Sequence, residues 1–192
     1  MAFKFIHLEI PGLILIEPPI FEDGRGFFLE SYEYSDFAAA GIHDQFIQDN
    51  HSKSDGTIMR GLHFQLPPSA QAKLIRCTRG EVLDVAVDIR RGSPSYGKAL
   101  TVVLSEENKK ILYVPVGFAH GFLTLSETAE ILYKVTALYS PKDERGLIWN
   151  DRDLKIHWPD LKPKLSLKDE KWPRLKDLQS PFEYQADRKQ SR

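Results

Sequence analysis

The most regular feature of the chain is a set of short runs in which apolar and polar residues alternate. The run EVLDVAVDI, residues 81–89, places its larger aliphatic side chains on one face and Asp84 and Asp88 on the other, because successive residues of a strand point to opposite faces. The runs ALTVVLS (99–105) and EILYKVTALYS (130–140) repeat this alternation. Short alternating runs separated by turn residues predict an all-β sandwich or barrel.

Helix is scarce by comparison. The segment SDFAAAG (35–41) predicts one short helix near the N-terminus, with Ser35 as the N-cap and Gly41 just past its end. Eight or more predicted strands with almost no helix favour an all-β jelly roll, a double antiparallel sheet.

The end of the chain follows a different pattern. From Trp158 onward the sequence is rich in proline and charge and does not alternate. We therefore expect residues 158–192 to pack around the β core with short turns or helices, so that residues 1–192 form a single domain. The last stretch, YQADRKQSR, is expected to fray.

Composition narrows the class of protein. Of 192 residues, 42% are hydrophobic and 28% are charged, as in soluble globular proteins. The net charge of −1 provides no basic field for nucleic acid. Cys77 is the single cysteine and cannot form an internal disulfide, and the N-terminal residues lack the apolar core of a signal peptide. No apolar run reaches the roughly 20 residues of a membrane helix, so we expect a cytoplasmic protein with no membrane partner.

One motif points to a known fold family. The stretch PVGFAHGF contains Pro115, Gly117 and His120 in the spacing P-x-G-x-x-H, which resembles the second motif of the cupins, a family of jelly rolls. The first cupin motif supplies H-x-H and a distant Glu as metal ligands, whereas RGLHFQ offers His63 alone. Because a tight divalent site needs three or four ligands, the resemblance is to the metal-free branch. We expect no metal and no cofactor.

Seven blocks extend the resemblance over about residues 3 to 184, and in chain order they are RGFFLE, FIQDNHS, RGLHFQ, AKLIRCTRGEVLDVAVDIR, VPVGFAHGFLTLS, YKVTALYSPKDERG and LSLKDEKWP. They resemble the blocks of the dTDP-4-dehydrorhamnose 3,5-epimerase family. The resemblance implies inversion of C3 and C5 of dTDP-4-dehydro-6-deoxy-D-glucose to give dTDP-4-dehydro-L-rhamnose, in dTDP-L-rhamnose biosynthesis. It also implies a homodimer in which an N-terminal strand crosses to the partner subunit, a part that FKFIHLEI would play.

Epimerisation beside a ketone needs a base on one face, an acid on the other, and stabilisation of the enolate oxygen. By resemblance His63 is the proton acceptor, and an imidazole, with an ordinary pKa of about 6.5, is suited to proton abstraction. Asp169 is by resemblance the carboxylate that orients it. The alternatives are an ordinary hydrogen-bonded strand histidine and, since Ser166-x-x-Asp169 fits a capping box, a helix-capping carboxylate. The capping and orienting functions can coexist.

Two further catalytic residues follow from the same resemblance. Tyr133 matches the proton donor, and Lys73 matches the lysine near the 4-keto oxygen, where an ammonium would stabilise the enolate. Tyr139 matches the tyrosine that stacks on thymine, and it has the same strand parity as Tyr133. The alternatives are a packing tyrosine and an exposed lysine at a strand end.

The other predicted substrate contacts match the family's nucleotide-sugar site one by one, and they are Arg25, Glu30, Gln48, Asp49, Asn50, Arg60, His120, Glu144 and Lys168. Arginine suits phosphate because its planar fork binds two oxygens. Arg25 is alternatively a turn residue in DGRG, and Glu144 a solvated charge in PKDERG. Arg60 and His63 are three residues apart, so a regular strand would point them to opposite faces, and a bulge at Gly61 would bring them together.

Three other functions remain open at the level of sequence. A single-centre 3- or 5-epimerase of another deoxysugar pathway would share these motifs. A metal-dependent cupin and a non-catalytic sugar-binding jelly roll are the more distant alternatives. The nucleotide preference and the number of inverted centres are not determined by the sequence.

Overall fold

The protein is described by a computed structural model that covers residues 2–185, so most of the predicted fraying tail, residues 186–192, lies outside the described range. Within this range the chain forms thirteen strands, which are β1 (Lys4–His7), β2 (Ile14–Glu17), β3 (Ile20–Asp23), β4 (Gly26–Leu29), β5 (Gln48–Asp55), β6 (Met59–Gln65), β7 (Lys73–Arg79), β8 (Glu81–Asp88), β9 (Ala99–Ser105), β10 (Ile111–Val114), β11 (Phe118–Thr124), β12 (Thr128–Val135) and β13 (Glu144–Gly146). The helical segments are α1 (Tyr34–Ala39) and two 3₁₀ helices (Arg152–Leu154 and Leu175–Asp177).

The strands form two antiparallel sheets packed face to face. The six-stranded sheet has the order β1-β2-β10-β7-β12-β5, and the five-stranded sheet has the order β13-β6-β11-β8-β9. The strands β3 and β4 form a separate hairpin. This arrangement confirms the predicted cupin-type jelly roll. A cluster that includes Ile75, Leu112, Leu104 and Phe122 fills the space between the sheets.

The strand β8 is covered by an apolar cluster on each of its two faces. Val82 and Ala86 pack in the cluster between the sheets, while Val85 and Val87 pack in a second cluster on the outer side. Phe182 from the C-terminal segment is part of that second cluster. Both faces of the strand are therefore buried, and polar residues such as Asp84 need internal partners.

The predicted N-terminal helix is present, but its predicted N-cap is wrong. Glu33 is the N-cap, and its carboxylate accepts hydrogen bonds from the backbone N–H groups of Ser35 and Asp36. The longer glutamate side chain reaches both free amides of the first turn, and the Ser35 hydroxyl donates to it as well. Gly41 follows the helix at φ +89°, as predicted for the residue past its end. The buried Phe37 attaches the helix to the six-stranded sheet through the cluster it shares with Ile16.

The segment expected to cross to a partner subunit pairs within its own chain. In β1, Lys4 lies opposite Glu17 and His7 lies opposite Ile14 of β2. Because β1 is an edge strand of the six-stranded sheet, the crossing of FKFIHLEI to a partner subunit stays a prediction. Among residues 2–185, no helix is both long and apolar enough to span a membrane.

Candidate active site

Two adjoining cavities open between the sheets, with volumes of about 300 and 310 Å³. Three residues line both: His63, Lys73 and Tyr133. His63 projects from β6 of the five-stranded sheet, whereas Lys73 and Tyr133 project from β7 and β12 of the facing sheet. The fold thus brings a basic imidazole, an ammonium and a phenol to one place from opposite walls.

A β-bulge at Gly61 joins Arg60 to this group. His63 lies opposite His120 and Arg60 lies opposite Phe122, so Gly61 and Leu62 face Gly121 alone. The extra residue turns Arg60 to the same side as His63, and both line the first cavity. The bulge that the three-residue spacing required is therefore present.

Only glycine fits at this bulge. Gly61 has φ +128°, and a Cβ added there would lie 2.6 Å from the Cα of Gly121 and 2.9 Å from the carbonyl oxygen of His120. The close approach of β6 and β11 therefore depends on the missing side chain.

We expect Gly61→Ala to lower the free energy of unfolding by about 3 kcal/mol, from the combined cost of the clash and of the left-handed backbone. For a domain of this size, that corresponds to a drop of roughly 6–12 °C in Tm. Calorimetry provides the measurement, and Gly24→Ala provides the control, because an added Cβ at Gly24 meets nothing within 4 Å. Equal Tm values for the two variants would contradict the assignment.

The His63 side chain is held by a carboxylate from the C-terminal segment. Its Nε2 lies 2.5 Å from Oδ1 of Asp169, and the indole N–H of Trp172 donates to the same oxygen at 3.2 Å. The Trp172 ring packs edge-on against the imidazole. Gly146 makes room for the indole, since a Cβ there would come within 2.7 Å of it. Both donors restrict the Asp169 carboxylate to one orientation.

The electrostatics of Asp169 favour its charged form. Burial alone would raise the pKa of this carboxyl, but the hydrogen bond and positive charge of His63, with further hydrogen bonds from Ser166 and Trp172, hold the pKa below its ordinary value. A carboxylate that remains ionised accepts a hydrogen bond from the Nε2–H group and leaves Nδ1 of His63 free to take up a proton.

One of the two hydrogen bonds of the predicted capping box is present. The Ser166 hydroxyl accepts a hydrogen bond from the backbone N–H of Asp169 at 3.2 Å, as an N-cap would. The segment continues as a turn rather than a helix, and the Asp169 carboxylate bonds to His63 and Trp172 instead. The cap positions the backbone, and the side chain remains available to the cavity.

Burial in the interior of low polarity shifts the pKa values of Lys73 and Tyr133. Burial lowers the pKa of Lys73 to about 8, against the opposing charges of Asp84 and Glu144. Burial raises the pKa of Tyr133, with the positive charge of Arg60 acting in the opposite direction. The phenol therefore stays protonated across the neutral range, and the ammonium is close to its titration point.

His120 is buried on the inner face of β11, next to His63 on β6. Its Nε2 lies 2.9 and 3.0 Å from the two carboxylate oxygens of Asp84. Burial lowers the pKa of His120, and Asp84 opposes that effect. The imidazole and the carboxylate form a second pair beside His63 and Asp169.

The second cavity is lined by the residues predicted to hold the nucleotide. Tyr139 donates a hydrogen bond from its hydroxyl to Glu144 at 3.0 Å, and Lys168 donates to the same carboxylate at 2.7 Å. Gln48 bonds the side chain of Asn50 and accepts from the backbone N–H of Tyr139. The parity argument for Tyr139 does not apply, because β12 ends at Val135, yet Tyr139 lines this cavity with Tyr133.

Three predicted contacts lie elsewhere in the protomer. Asp49 points from the outer face of β5, where its carboxylate accepts a hydrogen bond from Lys134 at 2.9 Å, because it alternates with Gln48 and Asn50. Arg25 lies in the turn of the β3–β4 hairpin and pairs with Asp23, which matches its alternative reading as a turn residue. Glu30 directly follows this hairpin and is exposed.

Two neighbours of the catalytic candidates were not anticipated. The alternation in the sequence predicts for Asp84 only a place on the polar face of a strand, although an acid between aliphatic residues of a buried strand indicates an internal partner. Trp172 lay within a recognised block, three residues after Asp169, without an assigned part. Among the residues from 2 to 185, no group of three or more His, Cys, Asp or Glu side chains is arranged to hold a metal ion.

Comparison with known proteins identifies the family. The sequence model of dTDP-4-dehydrorhamnose 3,5-epimerase matches residues 7–177. The dTDP-4-dehydrorhamnose 3,5-epimerase of Shigella flexneri is 53% identical over 165 residues, which are 85% of this chain and 91% of the relative.

Solved structures agree with the sequence match. The crystal structure of dTDP-6-deoxy-D-glucose-3,5-epimerase from Legionella pneumophila, in complex with dTDP-4-keto-L-rhamnose, superposes with a TM-score of 0.92 at 42% identity, covering 96% of this chain and all of that one (100%). A 3'-monoepimerase from Streptomyces bikiniensis in complex with dTDP-quinovose has a TM-score of 0.83 at 37% identity, covering 88% of this chain and 86% of that one. The chain belongs to the dTDP-4-dehydrorhamnose 3,5-epimerase family.

Proposed function

We propose that this protein converts dTDP-4-dehydro-6-deoxy-D-glucose to dTDP-4-dehydro-L-rhamnose by inverting C3 and C5, in the cytoplasmic synthesis of dTDP-L-rhamnose. The observation that carries the proposal is the grouping of the His63–Asp169 pair with Lys73 and Tyr133 in one cavity. Inversion next to a ketone moves protons alone, so these side chains account for the reaction without a redox cofactor.

His63 takes the proton from the carbon next to the ketone. Asp169 accepts a hydrogen bond from the Nε2–H group, which leaves the lone pair of Nδ1 as the base. The carboxylate also stabilises the imidazolium that forms. Trp172 keeps the carboxylate in place during this step through its own hydrogen bond. This pair corresponds to a general base with its orienting group.

The charge left behind collects on the 4-keto oxygen. An ammonium in a partly desolvated cavity stabilises such an enolate strongly, and Lys73 is the cation that lines both cavities. Tyr133 stands on the sheet opposite to His63 and returns a proton from the other side of the sugar. One proton-transfer group on each wall of the cavity is what inversion requires, because a proton leaves one face of the sugar carbon and another is added to the opposite face.

The remaining cavity residues suit a nucleotide diphosphate sugar. Arg60 and Lys168 supply positive charge to the first cavity, where a pyrophosphate would need it. Tyr139 is half exposed at the second cavity and offers an aromatic face for a thymine ring. Gln48 and Asn50 add amide groups for its polar edge.

We also propose a homodimer, as expected from the family. Phe21, Phe27 and Phe28 lie exposed on the β3–β4 hairpin that carries Arg25, and exposed aromatic residues of this kind favour contact with another protein surface. A second copy would also account for Arg25 and Glu30, which lie away from the cavities of their own protomer. Analytical ultracentrifugation tests this, since a monomer at micromolar concentration would overturn it.

The decisive experiment follows deuterium from D₂O into dTDP-4-dehydro-6-deoxy-D-glucose by NMR. Label at both C3 and C5, with formation of the L-rhamno product, supports the proposal. Label at C3 or C5 alone would instead assign the protein to the single-centre epimerases, which share the fold. Label at neither position would refute epimerase activity.

The pH profile should report Lys73. Because its pKa is lowered to about 8, the free enzyme loses the ammonium as the pH rises through 8, and kcat/KM should fall on the alkaline side with an apparent pKa near 8. The fall is on this side because the charged form is the active one. Because an arginine stays protonated throughout this pH range, Lys73→Arg should remove the alkaline limb, whatever its maximum rate. An unchanged limb in that variant would contradict the assignment.

A further inference from the structure

Asp84 is a buried carboxylate that no step above uses. It projects from the inner face of β8, and its exposure is 0%. Both of its oxygens lie within hydrogen-bond distance of Nε2 of His120, at 2.9 and 3.0 Å. Because a carboxylate only accepts hydrogen bonds, the proton between them belongs to Nε2.

The other ring nitrogen of His120 is open to the cavity. Nδ1 forms no hydrogen bond with any residue in the range 2–185, and it is not sealed inside the protein. The sealed side-chain atoms without a partner in that range are on Ser52, Arg76 and Thr124. His120 lines the first cavity, so Nδ1 presents a lone pair there. Burial lowers the pKa of His120, which keeps the ring neutral and the lone pair available.

We propose that Asp84 is a positioning residue that holds His120 as the Nε2–H tautomer, so that Nδ1 accepts a hydrogen bond from a hydroxyl of the sugar. The identity of the hydroxyl-bearing ligand rests on the function proposed above, whereas the tautomer is a property of the free protein. With the opposite tautomer, Nδ1 would carry a proton and would repel a hydroxyl hydrogen instead of accepting it.

Asp84 also influences the charge of the cavity. Its negative charge and that of Glu144 oppose the desolvation that lowers the pKa of Lys73. The other titratable side chains that line the cavities with Lys73 are Arg60 and His63 from β6, His120 from β11, Tyr133 from β12, Tyr139 from the loop after β12, and Lys168 and Asp169 from the C-terminal segment. With Asp84 removed, Glu144 is the carboxylate that still opposes desolvation, and the Lys73 ammonium loses its proton at lower pH.

The tautomer can be measured directly in the protein without ligand. In ¹⁵N-histidine-labelled protein at neutral pH, two-bond proton–nitrogen spectra should show His120 as a neutral ring protonated at Nε2. The signal is assigned with His120→Gln. In Asp84→Asn, the amide can donate to Nε2 as well as accept from it, so the Nδ1–H form should appear. A wild-type ring that is protonated at Nδ1, or at both nitrogens, overturns the proposal even if the variant fails to fold.

Kinetics supply the second readout. Asp84→Asn should lower kcat/KM by about 10- to 100-fold, the usual effect of losing a hydrogen bond that involves a charged group. Its alkaline limb should begin at lower pH than that of the wild type. Asp88→Asn is the matched control, because Asp88 is a buried carboxylate on the same face of β8 whose partner is Arg90. This control should reduce stability and leave the position of the limb unchanged.

The outcomes separate this proposal from the assigned function. If Asp84→Asn keeps both the Nε2–H tautomer of His120 and the wild-type alkaline limb of kcat/KM, the positioning of His120 by Asp84 is overturned, even if epimerisation is confirmed. A shift of the limb in Asp88→Asn equal to that in Asp84→Asn overturns it as well, since the effect would then be structural. An Nε2–H ring that is lost in Asp84→Asn supports the proposal, including for a protein that inverts a single centre.

Discussion

His63→Ala is expected to abolish exchange of the C3 proton of the substrate with solvent and to lower kcat by about 10³- to 10⁴-fold. The imidazole is the base nearest to an orienting carboxylate in the cavity, and Asp169 has no other histidine within hydrogen-bond distance among residues 2–185. Loss of the ring leaves the enolate site intact but removes the group that starts the reaction. Deuterium uptake at C3 in D₂O, measured by NMR, tests this without requiring full turnover.

Two variants control this experiment. His51→Ala removes an exposed histidine that pairs with Glu130 on β12, outside both cavities, and should leave exchange unchanged. Asp169→Asn keeps His63 but loses the charge that stabilises the imidazolium. Its rate of C3 exchange should therefore lie between the rates of His63→Ala and His51→Ala. Normal exchange in His63→Ala would rule out His63 as the base.

The second large effect is expected for Tyr133→Phe. This variant keeps the aromatic ring in the cavity wall and removes the hydroxyl, so proton abstraction by His63 should survive while proton return from the opposite sheet fails. We expect C3 exchange to continue, and productive inversion, above all at C5, to fall by about 10²- to 10³-fold. The raised pKa of Tyr133 predicts that the wild-type donor does not titrate below the alkaline limb of Lys73.

Tyr113→Phe is the matched control for the loss of a phenol hydroxyl. Tyr113 lies on β10 and donates its hydroxyl to Asp44, away from both cavities. Its replacement should cost about 1 kcal/mol of stability and leave both isotope exchange and inversion unchanged. If Tyr133→Phe reduces exchange and inversion to the same extent, a donor confined to the second face is excluded.

Much of the fold was determined by local pattern. In β8 and β12 the two-residue alternation reflects the geometry of an extended chain, which depends on each residue and its immediate neighbours. The N-cap was missed for a related reason. Ser35 and Glu33 both have side-chain acceptors, and the conformation of the preceding backbone decides which one reaches the free amides of the first turn.

Within the site, the resemblance identified the residues, and the backbone geometry decided which of them reach a cavity of this protomer. The block QDN was expected to contact substrate as a unit, but Asp49 points from the outer face because it lies between Gln48 and Asn50 on one strand. Tyr139 reaches the second cavity through the loop after β12 rather than through parity with Tyr133.

By itself, the sequence determined the jelly roll and the set of chemical groups, because alternation and motif spacing are properties of neighbouring residues. The tertiary structure alone decided that the bulge at Gly61 turns Arg60 toward His63, since the bulge depends on the close approach of Gly121 on another strand. It alone placed Asp84 against His120, 36 residues away. The pairing of Asp169 with His63, 106 residues away, was expected from the family resemblance and not from any local pattern. Such contacts arise from the packing of segments that are distant in the sequence, which local patterns do not encode.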